Sequence, residues 1–174
     1  MQHTMSCGAK DDHRCILGKC RQDDYVPTFT DLYNIELRVL SAFVEDKDQG
    51  PFNGESDVFV VINVIRGAGP AYEDTDDVCH TYVIQDNSRP KWNFVCRPMP
   101  MQNSTLLRFV AIDSDKPLEA GDQLGTAIES LDRMMNKGPV KLPLLFGANA
   151  KRPYYLEVEV KGTPYNPSVP KPEN

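Results

Sequence analysis

Apolar and polar residues alternate along most of this chain with the period of two expected of half-buried strands. The segment 33–45 (YNIELRVLSAFVE) places Ile35, Leu37 and Val39 on one face. The segment 57–67 (DVFVVINVIRG) is rich in β-branched residues, as suits a strand buried on at least one face. Alternation returns at 78–86 (VCHTYVIQD), and the turn signal DNSRP leads into 91–98 (KWNFVCRP), which predicts a hairpin. TLLRFVAID (105–113) is the most apolar strand, followed by QLGTAIESL (123–131), by VKLPLLF (140–146), limited by Pro143, and by RPYYLEVEVKG (152–162). Gly, Pro, Asn and Asp join these segments, and the pattern predicts an all-β fold: an eight-stranded antiparallel Greek-key sandwich. One short helix is predicted near 131–137, in LDRMMNKG, ending at Gly138.

The flanks differ from this core. Residues 1–31 are polar, carry Cys7, Cys15 and Cys20, show no clear period, and are expected to form an irregular extension. Residues 163–174 (TPYNPSVPKPEN) hold four of the 14 prolines and are expected to be an extended tail. The sandwich domain is therefore placed at 32–162.

Two of the loops are dense in aspartate. Asp113, Asp115 and Asp122 lie in FVAIDSDKPLEAGDQLG, and Asp46, Asp48 and Asp57 bracket the Gly/Pro-rich loop EDKDQGPFNGESD. Carboxylates crowded into one loop repel each other, and a cation relieves that repulsion. Hard oxygen ligands at this density suit Ca²⁺, which takes six to eight oxygens. Asp113 and Asp115 are spaced i, i+2 at a strand end, and Asp122 returns seven residues after Asp115. In a sandwich whose strands reverse direction, alternate connections lie at one end, so the loops at 46–57, 86–90 and 113–122 are expected to cluster. Against this stands the ordinary preference of Asp for turns. An EF-hand is excluded, because Pro51 stands where the sharp turn needs Gly, position 12 is Asp57 rather than Glu, and the flanks are strands.

These segments resemble a C2 domain. The matching pieces are LRVLSAFVEDKD, ESDVFVVINV, TYVIQDNSRPKWN and LLRFVAIDSD…GDQLG, in that order over about residues 33–161. The resemblance implies an eight-stranded sandwich that binds Ca²⁺ and docks on phospholipid headgroups. It implies Asp48, Asp57, Asp113, Asp115 and Asp122 as metal ligands, with Asp46 and Glu119 as alternates. Loop one is longer than the family's usual form, loop three has one extra residue, and Val58 stands where many members have Pro. Phe52 and Leu118, at the loop tips, are candidate membrane contacts. The acidic connection GPAYEDTDDV (69–78) replaces the lysine cluster with which some members hold phosphoinositides, so no such site is expected. The absence of a strand pattern before Tyr33, and a full strand at the end, favour the phospholipase- and perforin-type strand order over the synaptotagmin type.

Charge and cysteine content narrow the function. The net charge of −6 argues against a nucleic-acid partner and against passive adsorption to anionic lipid. No apolar run approaches the 18 or so residues of a membrane span, and no signal peptide is visible, so the compartment stays open. Cys79 and Cys96 are equidistant from the turn at 87–88, where they form a cross-strand disulfide or remain two thiols; Asn103-Ser104-Thr105 is a glycosylation sequon. His3, Cys7, His13, Cys15 and Cys20 lack the paired spacing of a zinc knuckle. Cys79 and His80 are neighbours on a strand and point to opposite faces, so they cannot form a catalytic dyad. The expected function is a non-enzymatic, Ca²⁺-dependent module for anionic phospholipid membranes, with no small-molecule substrate. The alternatives are a C2-like domain for protein partners and the targeting module of a larger perforin-like effector.

Overall fold

The computed structural model describes residues 13–16, 19–22, 32–46, 54–65, 75–98, 100–114, 121–146 and 153–166. Strands β1 (His13–Ile16) and β2 (Lys19–Gln22) pair only with each other, so the stretch expected to be irregular contains a short antiparallel hairpin, with Cys15 opposite Cys20 in register. The sandwich begins at β3 (Leu32–Phe43) and continues through β4 (Val58–Ile65), β5 (Thr75–His80), β6 (Lys91–Cys96), the two-residue β7 (Met101–Gln102), β8 (Leu106–Asp113) and β9 (Asp122–Ser130). A single helical turn, α1 (Leu131–Met134), precedes β10 (Val140–Pro143) and β11 (Tyr155–Pro164).

These strands form two antiparallel sheets. One has the order β10-β11-β3-β6, with β7 beside β3, and the other has the order β5-β4-β8-β9. Alternation delivers one face of each sheet to a shared core. Leu37, Val39, Leu156, Val158 and Val160 meet Val58, Val60, Ile62, Leu107 and Phe109 there, all at 0–1% exposure. The all-β sandwich expected from the pattern is therefore the architecture. The strand that opens it, β3, is paired with the strand that closes it, β11.

The predicted hairpin between 78–86 and 91–98 does not form. β5 pairs with β4 in one sheet, and β6 pairs with β3 in the other. Residues 81–84 follow β4 instead, where Thr81 Oγ1 accepts the Val60 N–H and Ile84 bridges Val58. Past the turn, Ser88 and Pro90 offer their carbonyls to Val44 and Ala42, at the end of β3. The turn residues thus build an arch from sheet to sheet. Cys79 and Cys96 are joined by a disulfide (Cα–Cα 6.5 Å), which ties the two sheets rather than two strands of one hairpin. Nearer the turn, the Trp92 indole N–H donates to the Tyr82 carbonyl, and the Tyr82 hydroxyl donates to the Trp92 carbonyl.

The opposite flank is closed by backbone. Beyond Pro143, Leu145 leaves β10 and makes two hydrogen bonds with Thr126 of β9, at 2.8 and 2.9 Å. That crossing ends the strand expected over 140–146 early. The helix predicted to reach 137 stops at Met134, because Met135 bridges Val160 and Asn136 takes a positive φ of 60°. The sandwich also runs past residue 162, since β11 extends to Pro164 and the Tyr165 N–H donates to the Leu32 carbonyl.

Candidate functional site

The three acidic connections meet at one end of the sandwich, and backbone pairing brings them there. β3 ends at Phe43 and β4 starts at Val58, so loop one leaves and returns at this end. Val58 pairs with Asp113, the last residue of β8, and Asp113 pairs with Asp122, the first residue of β9. The middle loop is drawn in by the Asn87 N–H, which donates to the Ser56 carbonyl, and by the Val44 N–H, which donates to the Ser88 carbonyl, each at 3.0 Å.

The aspartates themselves fasten these loops together. Asp113 is wholly buried, and its Oδ1 accepts the Asp57 N–H at 2.8 Å. The Asp57 carbonyl accepts the Ser114 N–H at 2.8 Å, and the Asp57 side-chain Oδ1 accepts the Asp86 N–H at 2.8 Å. A chain of contacts therefore runs from loop three through loop one to the middle loop. Asp122 is exposed and, as the cross-strand partner of Asp113, projects from the same face of the sheet. Asp46 lies at the start of loop one, two residues after Val44.

Two further observations define the centre of this cluster. Asp113 Oδ2 is buried and has no hydrogen-bond partner among the described residues. A buried carboxylate oxygen without a donor costs free energy, and a cation or an ordered water is the usual remedy. The second is the approach of loop one to Asp86. Gly54 has a φ of +73°, and a Cβ placed on it would collide with Asp86 Oδ1. Only glycine combines that backbone with so close a carboxylate.

Sequence reasoning treats DNSRP as a turn and passes over Asp86. Its signal is nonetheless present: an Asp at a turn that tolerates the left-handed region, here a φ of 49°, in a connection expected at the acidic end. Glu55 is passed over as well. Its Oε2 accepts the Ser88 N–H at 2.6 Å. That bond, then one from the Ser88 hydroxyl, and the nearby Arg89 charge hold its pKa below the ordinary 4.5, with a desolvation effect opposing them.

Of the residues expected to hold metal, Asp57, Asp113 and Asp122 are brought together with Asp86. Asp48, Asp115 and Glu119, and the candidate membrane contacts Phe52 and Leu118, lie outside the described residues. Among the described residues, no three His, Cys, Asp or Glu side chains converge as a ready metal-binding group. The buried orphan oxygen of Asp113 nonetheless fits a cation, since it is a hard donor at the point where the loops join.

The family model for the C2 domain matches residues 33–143. The chain belongs to the C2 domain family. This C2 domain is similar in fold to a C2 domain of plant extended synaptotagmin 1 (TM-score 0.57, 20% identity), with 79% of this chain and 97% of that one covered. It is also similar to a human GIVD cytosolic phospholipase A2 (TM-score 0.56, 17% identity), covering 78% of this chain but 17% of the enzyme. A third likeness is to the paired, calcium-bound C2 domains of extended synaptotagmin 2 (TM-score 0.52, 20% identity), with 79% and 47% covered. No curated protein sequence matches the chain significantly.

Proposed function

We propose that this C2 domain is a non-catalytic module that docks peripherally on anionic phospholipid membranes when Ca²⁺ occupies its acidic end. The observation that carries this reading is the buried, unpartnered Oδ2 of Asp113, set where three Asp-bearing loops are hydrogen-bonded together. The ligand set we assign is Asp48, Asp57, Asp113, Asp115 and Asp122, with Asp46 and Glu119 as alternates. Asp86 joins it from the middle loop. The calcium-bound state of a structural neighbour supports the choice of ion.

The function follows from electrostatics. Without metal, the carboxylates of this end repel a negatively charged leaflet, in keeping with the net charge of −6. A bound divalent cation supplies the largest local charge and reverses the potential there. It also offers coordination to phosphate oxygens, while apolar loop tips, for which Phe52 and Leu118 are our candidates, add interfacial burial.

Co-sedimentation with phosphatidylserine-containing vesicles tests this directly. The protein is expected to pellet in Ca²⁺ and to stay in the supernatant in chelator. Failure to pellet in Ca²⁺ would overturn the reading and leave the acidic end as a surface for a basic protein partner.

A further inference from the structure

We propose that residues 144–146, which follow β10, with the sheet face beside them, form a second membrane contact: a cationic and aromatic shoulder that takes the headgroups of an anionic bilayer. The proposal rests on the docking reading above and concerns a different surface, at the edge where the five-stranded sheet meets β9.

Register places this shoulder at the acidic end. Pro143, the last residue of β10, pairs with Tyr155, and Tyr155 pairs with Phe43, from which loop one departs. Residues 144–146, which follow Pro143, therefore start from the end at which loop one departs. They include two adjacent apolar side chains, Leu145 at 46% and Phe146 at 50% exposure. Leu144 is buried, and Leu145 is fixed to Thr126 by a hydrogen bond in each direction. A hydrogen-bonded Leu145 beside a second half-exposed apolar side chain suits contact with an interface, because the Leu145 backbone is already ordered by folding.

The neighbouring sheet face supplies the polar half. The Phe43 and Tyr155 rings lie 6.3 Å apart, the Arg89 guanidinium sits 3.9 Å from the Phe43 centroid, and the Lys141 ammonium sits 4.4 Å from the Tyr155 centroid. A guanidinium held over a ring is a multi-donor cation suited to phosphate oxygens. Apolar side chains flanked by tyrosine and by Lys or Arg are the composition of a membrane–water interface. Among the described residues, acids beside this row include Glu157, which is opposite Lys141 and accepts a hydrogen bond from the Ser41 hydroxyl, and Glu55, near Arg89. Glu45 and Asp46 follow at the start of loop one. The acidic end repels anionic lipid until Ca²⁺ is bound, so the shoulder engages together with bound Ca²⁺.

The test uses the full chain, vesicles of phosphatidylcholine with phosphatidylserine, and saturating Ca²⁺. Two variants are compared with wild type: Leu145→Ser with Phe146→Ser, and Lys141→Gln, which lies outside the acidic loops. Each is also melted and titrated with Ca²⁺ without lipid. We expect folding and lipid-free Ca²⁺ affinity to match wild type, and vesicle affinity to fall about tenfold for the apolar pair and about fivefold for Lys141→Gln. Wild-type vesicle affinity in both variants overturns the shoulder and leaves the loop reading standing. Weakened Ca²⁺ binding without lipid overturns it too, because the residues would then act through the loops. Wild type that does not bind the vesicles overturns both proposals.

Discussion

Two carboxylates at the acidic end behave in opposite ways. Asp113 is buried with one oxygen committed to the Asp57 N–H and the other without a donor, whereas Glu55 is exposed and donor-rich. The Glu55 pKa is lowered because the Ser88 N–H, the Ser88 hydroxyl and Arg89 all favour its charged form. A depressed folded value means that Glu55 stabilises the fold above its unfolded value near 4.5, and that this contribution is lost as pH falls through the lower folded value. Thermal melts across the acid range should therefore show Glu55→Gln less stable than wild type near neutrality, with the gap closing in acid. A gap that persists or widens as pH falls would show that the Ser88 contact does not act through the charge. Sequence alone does not disclose this pair, because residues 55 and 88 are brought together only by the docking of loop one on the middle loop. The same holds for Asp86: its turn is visible in the sequence, but its approach to Gly54 depends on tertiary packing.

At the scale of elements, the strands are legible in the sequence and their partners are not all so. Apolar alternation locates β3, β4, β6, β8, β9 and β11 to within a few residues, because each buries one face against a common core. The predicted hairpin fails for a physical reason. An alternating run, a turn signal and a second alternating run describe both a hairpin and an arch between sheets, and only the available hydrogen-bond partners distinguish them. Here β4 and β3 each offer an edge, and the two runs take one each. The disulfide consequently spans the sandwich and closes a loop of sequence separation 17 around the middle connection. Chain entropy assigns such a loop about 3 kcal/mol. Urea unfolding with and without reductant should show a loss near that size, as should Cys79→Ala with Cys96→Ala. No loss in either would mean that the two thiols contribute only by packing. The helix is over-extended in the sequence reading for a related reason: Met135 and Asn136 join β11 before a second turn can form.

For the whole molecule, one end of the sandwich gathers negative charge while one shoulder of the same end gathers cations, aromatic rings and two exposed apolar side chains. Chain order and alternation are enough to place loops 46–57, 86–90 and 113–122 together; the pairing of Val58, Asp113 and Asp122 brings the ends of the first and last to one end, and the Asp86 and Asn87 N–H groups bond the middle one to loop one. The shoulder is beyond reach of the sequence, since Arg89, Phe43, Tyr155 and Lys141 come from four separate strands or turns that only the sheet order makes neighbours. The central claim is that Asp113 carries its unpartnered oxygen for a cation. Asparagine at this position keeps an oxygen for the Asp57 N–H and removes the charge, so the fold should survive the change. Calorimetric titration of wild type and Asp113→Asn with Ca²⁺ tests the claim most directly. The account predicts saturable binding to wild type, with stabilisation of about 2.7 kcal/mol at a hundredfold excess over Kd, and the loss of both in the variant. Binding to Asp113→Asn equal to that of wild type, or no heat of binding to wild type, would contradict it.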